Sequence, residues 1–302
     1  MKHLYIIGNG FDIFTGLKTR YSDFKMWLEY SYPFVYENMQ EAYEMEGEWW
    51  NDFEQQLGKL DVKRYVRKFT SPEPSVEEIV KQIKGKKVLE KKQNLPPNLH
   101  RNSFCANRLK GLLDILQYCL EKWIEHVQCV VTELNYVDIE VDNSFFINFN
   151  YTDVIEWLYK IPEERVLHIH GRSTKREHLV FGHGNHLFGQ GASSVDEEKT
   201  LYELNRYEKN PYEHILKYDE LTKRMSDVEI VHIYGFSFST IDEDYIDWIF
   251  RVVSKNCRWE VSWYTCEDRK RIQRFFIDHW GLKERLNLTT LETLKINKQD
   301  IS

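Results

Sequence analysis

The sequence predicts an α/β protein, a largely parallel sheet with helices on both faces and one large helical insertion. Three observations lead there. Short β-rich runs stand at 3–7 (HLYII) and again at 144–150 (SFFINFN), 165–171 (RVLHIHG), 178–184 (HLVFGHG), 228–237 (VEIVHIYGFS) and 259–265 (WEVSWYT). Helical segments separate several of these runs, and strands alternating with helices favour a parallel sheet. Between the first run and the rest, residues 21–131 are mainly helical in pattern, so the first strand must reach across that segment to join the sheet.

Each element has its own signal. HLYII is followed at once by Gly8-Asn9-Gly10 and then by FDIFTGL, which reads as strand, tight turn, helix. In the helical stretch Trp50, Phe53, Leu57 and Leu60 recur at three- and four-residue steps. Leu109, Leu112, Leu113, Leu116, Leu120, Trp123, Ile124 and Val127 draw one apolar stripe over several turns. The segment between them, SPEPSVEEIVKQIKGKKVLEKKQNLPPN, is rich in Pro, Lys and Glu and predicts a mobile loop around 71–100. The expected organisation is a nucleotide-binding core from 1–20 and 134–302, with 21–133 as a helical insertion or cap. No internal repeat is present.

Composition excludes several function classes. Of the 302 residues 42% are hydrophobic, yet no apolar run approaches the roughly 18 residues that cross a bilayer. The opening MKHLYIIGNGFD is broken by glycine and aspartate before a signal-peptide core can form, so a cytoplasmic protein without membrane association is expected. Five cysteines, widely spaced and without a C-x-x-C pair, argue against a disulfide framework and a cysteine zinc module. The net charge of -7 repels phosphate backbones. The one basic run, KQIKGKKVLEKK at 81–92, lacks interleaved aromatics, and nucleic acid is an unfavoured partner.

In a parallel sheet ligands bind beyond the carboxyl ends of the strands, and here those ends are polar. Gly8-Asn9-Gly10 before a helix lets backbone approach a phosphate, with Gly8 and Gly10 offering N–H groups at a helix start. The third glycine of a dinucleotide fingerprint would fall at Ile13, so the motif is incomplete. Asp12 suits a ribose-hydroxyl acceptor or a helix cap better than a phosphate neighbour. In Phe149-Asn150-Tyr151-Thr152-Asp153, capping by Thr152 or Asp153 is the plain reading, and it leaves Asn150 unexplained. His168 and His170 alternate on an expected strand, which puts both rings on one face, and Gly171 leaves His170 at the lip of a cleft. Further histidines at 178, 183 and 186 raise a metal site, but acidic ligands on other strand ends are lacking and no metal is expected. Gly235-Phe236-Ser237-Phe238-Ser239 precedes an acidic helix start at Asp242-Glu243-Asp244; it fails the G-x-S-x-G frame of a nucleophile elbow.

GNGFD, FNYTD, HIHG and GFSFSTIDEDY, in that order, resemble the bacteriophage abortive infection AbiH family over nearly the whole chain. More distantly the pattern is similar to sirtuin-like NAD-binding domains. That resemblance implies His170 as general base, Asn150 orienting water or ribose, and Asp12 accepting from a ribose hydroxyl or positioning Asn150. It places Gly8, Asn9, Gly10, Phe11, Tyr151, Asp153, Gly171, Gly235 and Ser237 against the nucleotide. Asp12 stands where the sirtuin pattern prefers serine, Thr152 is inserted between Tyr151 and Asp153, and the zinc module of deacylases is missing, so protein deacylation is not expected.

The expected function is phage defence through a nucleotide site, with hydrolysis of the nicotinamide–ribosyl bond of NAD or a related nucleotide. Such an activity would be held off until a phage-derived trigger arrives, and a homo-oligomer is compatible with it. The alternatives are a nucleotide-binding sensor without turnover, signalling to a partner, and a metal-dependent nuclease using Asp12, Asp153, Asp242, Asp244 and histidines.

Overall fold

A computed structural model describes residues 1–47, 49–70, 103–175, 179–184, 191–211, 215–239 and 242–300. The expected mobile loop at 71–100, the basic run at 81–92, and His178 and His186 lie outside the described residues.

In chain order the elements are β1 (His3–Ile7), α1 (Asn9–Thr15), α2 (Tyr21–Ser31), α3 (Pro33–Tyr43), α4 (Phe53–Leu57), α5 (Val62–Thr70) and α6 (Phe104–Val130). There follow β2 (Tyr136–Val137), β3 (Ser144–Asn148), α7 (Val154–Tyr159), β4 (Val166–His168), α8 (Val195–Asn205), α9 (Asp219–Met225), β5 (Ile230–Tyr234) and α10 (Glu243–Val252). The chain continues through β6 (Arg258–Ser262), α11 (Cys266–Gln273), β7 (Leu286–Thr289) and β8 (Lys295–Ile296). Six strands form one sheet in the order β4-β3-β1-β5-β6-β7, every pairing parallel, while β2 and β8 make a separate antiparallel pair. This is the doubly wound Rossmann-like order: the chain starts at the centre, winds outward through β3 and β4, then returns to the other side through β5. The topological switch therefore falls between β1 and β5.

Pleat explains why β1 is apolar throughout. Tyr5 and Ile7 enter the core under the helical segment, while Leu4 and Ile6 enter the core on the opposite face with α10. A strand buried on both faces reads as a continuous apolar run. The helical segment shares its core with the first face: Phe24, Phe53, Leu109, Leu113 and Trp123 belong to the same buried cluster as Tyr5, Ile7 and Phe146.

Helix starts and stops follow local chemistry. Every apolar position read from the long stripe is buried in α6, and the Ser103 hydroxyl caps that helix by accepting from the Ala106 N–H at 3.2 Å. Pro33 at the first turn of α3 is tolerated because its missing N–H has no intrahelical acceptor there. The 50–60 stretch is less regular than its periodicity suggests, with a one-turn helix over Trp49–Asp52 leading into the short α4, though Trp50, Phe53, Leu57 and Leu60 are all buried.

Two expected strands differ. The 165–171 run yields only three strand residues, because the chain turns after His168 and Gly171 adopts φ +77°. Among the described residues of 178–184, His183 makes only an isolated bridge to Glu208. Among the described residues no helix is long and apolar enough to cross a membrane.

Candidate functional site at the carboxyl edge of the sheet

The site is built where β1, β3 and β4 end, and its centre is Asp12. This residue sits in the first turns of α1 and is 1% exposed. Asn150 Nδ2 donates to Asp12 Oδ1 at 2.7 Å and to the Gly8 carbonyl at 3.1 Å. Thr152 Oγ1 donates to Asp12 Oδ2 at 2.6 Å. Asn148, the last residue of β3, accepts from the Asn150 N–H at 2.9 Å and donates to the Thr152 carbonyl at 3.3 Å. The loop 149–153 is thus wound around one carboxyl group, which explains Asn150 without any helix cap. Asp153 stands at the N-cap position of α7 without a side-chain cap bond: its carboxylate accepts from Thr174, and the Thr152 hydroxyl goes to Asp12.

Burial pushes the Asp12 carboxyl up to about 7, with the Thr152 and Asn150 hydrogen bonds opposing and Glu156 adding to the shift. The folded chain then holds a proton that the unfolded chain has already lost between about pH 4 and about pH 7. The stabilisation is complete below the unfolded value and is lost as pH rises through the folded one. Wild type is expected to lose on the order of 3 kcal/mol across that window relative to Asp12→Asn, which keeps the shape of the neutral acid. Urea unfolding of both proteins at about pH 5 and about pH 8 checks this; parallel curves at the two pH values would show that Asp12 is ionised in both states.

The glycines at the switch point serve backbone packing. A Cβ on Gly8 would lie 2.7 Å from the Gly235 carbonyl oxygen, and one on Gly10 would lie 2.9 Å from the Gly235 Cα. The Gly8 N–H donates to the Tyr234 carbonyl at 3.0 Å and the Gly10 N–H to the Gly235 carbonyl at 2.7 Å. These two groups, expected to face phosphate, are consumed by backbone hydrogen bonds, because the turns that follow β1 and β5 pack so closely that a Cβ would collide there. Asn9 Nδ2 likewise holds the Thr19 carbonyl at 2.8 Å, and the Phe11 ring is buried in the core beside Tyr159.

His170 lies beyond the end of β4, and its ring turns away from that of His168, so the expected shared face does not exist. Strand alternation stops at the turn: His168 meets Glu156 of α7, whereas His170 meets Asp242 ahead of α10. His170 is 3% exposed. Its Nδ1 is 3.1 Å from the Phe149 carbonyl, which requires the proton on that nitrogen. Nε2 stands 3.5 Å from Asp242 Oδ1, and neither atom has another hydrogen-bond partner among the described residues. Burial pushes the Asp242 carboxyl up, but the His170 ring, the Lys209 ammonium and the Ser239 hydroxyl outweigh it and hold this group below its ordinary range. The two buried atoms face each other, and a proton or an O–H donor between them satisfies both.

A second buried network closes the site from the helical side. Tyr151 donates to Glu54 Oε1 at 2.9 Å, and Lys209 Nζ pairs with Glu54 Oε2 at 2.8 Å. Burial, then the Glu54 charge, hold the hydroxyls of Tyr21 and Tyr151 well above their ordinary range. Of the late-turn residues, Gly235 has φ +64° and receives the Gly10 N–H, whereas Ser237 is exposed. The structure thus brings the glycine turn, Asn150, Asp12, Tyr151 and His170 to one edge. Sequence reasoning missed Glu54, Lys209 and Tyr21, and it gave Asp242 no role beside His170. Of the carboxylates expected to serve a nuclease, Asp12 and Asp242 have different partners and do not converge, whereas Asp153 lies with Glu156 and His168 in one three-ligand cluster.

Fold and site together define a doubly wound parallel α/β protein with a closed polar site at its switch-point edge. The chain belongs to the bacteriophage abortive infection AbiH family, whose family model matches residues 4–263 and so spans β1 to just past β6, every site residue included. No curated protein matches it. Family membership places the chain among proteins of phage abortive infection.

Proposed function

We propose that this protein is an abortive-infection effector that hydrolyses the nicotinamide–ribosyl bond of NAD or a related nucleotide at the carboxyl edge of its sheet. The observation that carries the reading is the facing pair of buried atoms, His170 Nε2 and Asp242 Oδ1, 3.5 Å apart without other partners among the described residues. A water donating to both is polarised toward its oxygen. As the ribosyl C–N bond breaks, its electron pair leaves with the nicotinamide ring and an oxocarbenium-like centre forms. The water oxygen adds to the anomeric carbon and its proton passes to His170. Asn150, fixed by Asp12 and the Gly8 carbonyl, sets the loop that faces the ribose. The phosphates lie toward the exposed Ser237 and not on the occupied N–H groups of Gly8 and Gly10.

Purified protein incubated with NAD is expected to release nicotinamide, with His170→Ala and Asp242→Asn each lowering the rate of the folded protein by about 10²-fold or more. No release in any oligomeric or phage-lysate-treated state, together with His170→Ala protecting cells as well as wild type, defeats the reading. Closure of the site favours a second reading, since Asp12, Asn150 and His170 are 1%, 5% and 3% exposed. In that reading the pocket is a sensor that binds a nucleotide without turnover and signals to a partner. Calorimetry then gives binding without product, and His170→Ala spoils affinity instead of rate.

A further inference from the structure

The Asp153–Glu156–His168 cluster plays no part in the hydrolytic reading and carries its own signature. Asp153 and Glu156 are three residues apart at the start of α7, so their side chains project from neighbouring positions, and His168 is the last residue of the adjoining β4. One ligand atom from each of the three lies within 4.8 Å of the others. The His168 Nε2 meets Glu156 Oε1 at 2.6 Å, and its Nδ1 faces the Asn150 carbonyl at 3.4 Å.

Two more acceptors converge there. Glu156 Oε2 and Asp153 Oδ1 are buried and have no hydrogen-bond partner among the described residues, while the Glu156 side chain is only 10% exposed. The nearby Arg172 approaches Glu156 at Oε1, 3.7 Å, and Glu163 at Oε2, 3.8 Å, and makes no hydrogen bond to Glu156 Oε2 or Asp153 Oδ1. A proton on His168 Nε2 would answer Glu156 Oε1 alone, leaving the other two oxygens unpaired. A divalent cation answers all of them.

We propose that Asp153, Glu156 and His168 bind one divalent transition-metal ion of the Zn²⁺ type. One imidazole and two carboxylates are a borderline nitrogen–oxygen donor set, and the ring is oriented through its other nitrogen by a backbone carbonyl, as metal-binding histidines usually are. With bonds of about 2.0–2.2 Å the ligand atoms sit roughly 3.3 Å apart, so Glu156 Oε1 and His168 Nε2 part slightly on binding. The ion's role is structural. It ties α7 to β4 next to Asn150, whose carbonyl orients His168, and so stiffens the loop that winds around Asp12. The site stands independently of the nucleotide reading, and nicotinamide release is not its readout.

The test uses the full chain, stripped with chelator and titrated with Zn²⁺ or Co²⁺ alone. The expected result is one Zn²⁺ per chain by elemental analysis, a higher melting temperature on loading, and a Co²⁺ spectrum without thiolate charge-transfer bands. Glu156→Gln and Asp153→Asn, near-isosteric changes, should each weaken Zn²⁺ by about tenfold or more. The wild-type titration needs no variant and is decisive alone if no stoichiometric ion binds. Uptake equal to wild type in the folded double variant, or thiolate bands that point to Cys129 or Cys266, overturns the assignment.

Discussion

Gly235→Ala is expected to unfold the protein or to lower its melting temperature severely. The added Cβ would fall 1.9 Å from the Phe11 nitrogen and 2.4 Å from the Gly10 carbonyl carbon, both of them backbone atoms that no rotamer change can move. Relief requires parting the β1–α1 turn from the end of β5. That separation breaks the 2.7 Å bond from the Gly10 N–H to the Gly235 carbonyl and pulls Gly8 from Asn150. The left-handed backbone adds about 1–2 kcal/mol for any L-residue. The total should exceed roughly 4 kcal/mol, a large share of the 5–15 kcal/mol that typically holds a domain together. Gly281→Ala is the control, since Gly281 has φ +65°, nearly the 64° of Gly235, with nothing within 4 Å of its Cβ position. Soluble yield and thermal melting of the two variants separate packing from backbone strain; similar losses would mean that the contact between the two turns is soft.

Lys209→Met is expected to destabilise by about 3–5 kcal/mol, because it strands the Glu54 carboxylate in a dry place. The Lys209 and Glu54 side chains are 4% and 14% exposed and meet at 2.8 Å. Breaking a buried pair leaves an uncompensated charge, whereas removing both charges often comes near to neutral. Lys209→Met with Glu54→Gln should therefore recover much of the loss, as read by urea unfolding of the single and double variants. A loss under about 1 kcal/mol in the single variant would show that water reaches the pair. Function is coupled to this contact, since Glu54 belongs to α4, Lys209 follows α8, and the same lysine helps hold Asp242 below its ordinary range.

The sheet was legible where strands are buried on both faces. HLYII, SFFIN and IVHIY stand out as unbroken apolar runs, and each pairs in the parallel sheet. The long helix was legible because a stripe at three- and four-residue steps persists from Leu109 to Val127 within its 27 residues. β7, with its LNLT pattern at the sheet edge, is too short and half-exposed to signal itself. The 165–171 run misled because alternation says nothing of where a strand stops, and the turn at Gly171 stops it early. At the site, strand-end polarity singled out Asp12, Asn150 and His170. The Glu54–Lys209 pair joins residues 155 positions apart, and no local pattern announces a contact set by tertiary packing. The glycine turn was legible as a place of close backbone approach, and in the structure the Gly235 turn that follows β5 packs against it.

Strand order also governs when the molecule can come into being. β1 is made first yet lies at the centre, with its neighbours supplied by residues 144–148 on one side and 230–234 on the other. On the ribosome the opening strand waits unpaired while the helices of the first half emerge, and such distant pairing makes for slow assembly. His170 meets Asp242 only once residue 242 has been made, and a chain that stops short of it lacks this facing pair.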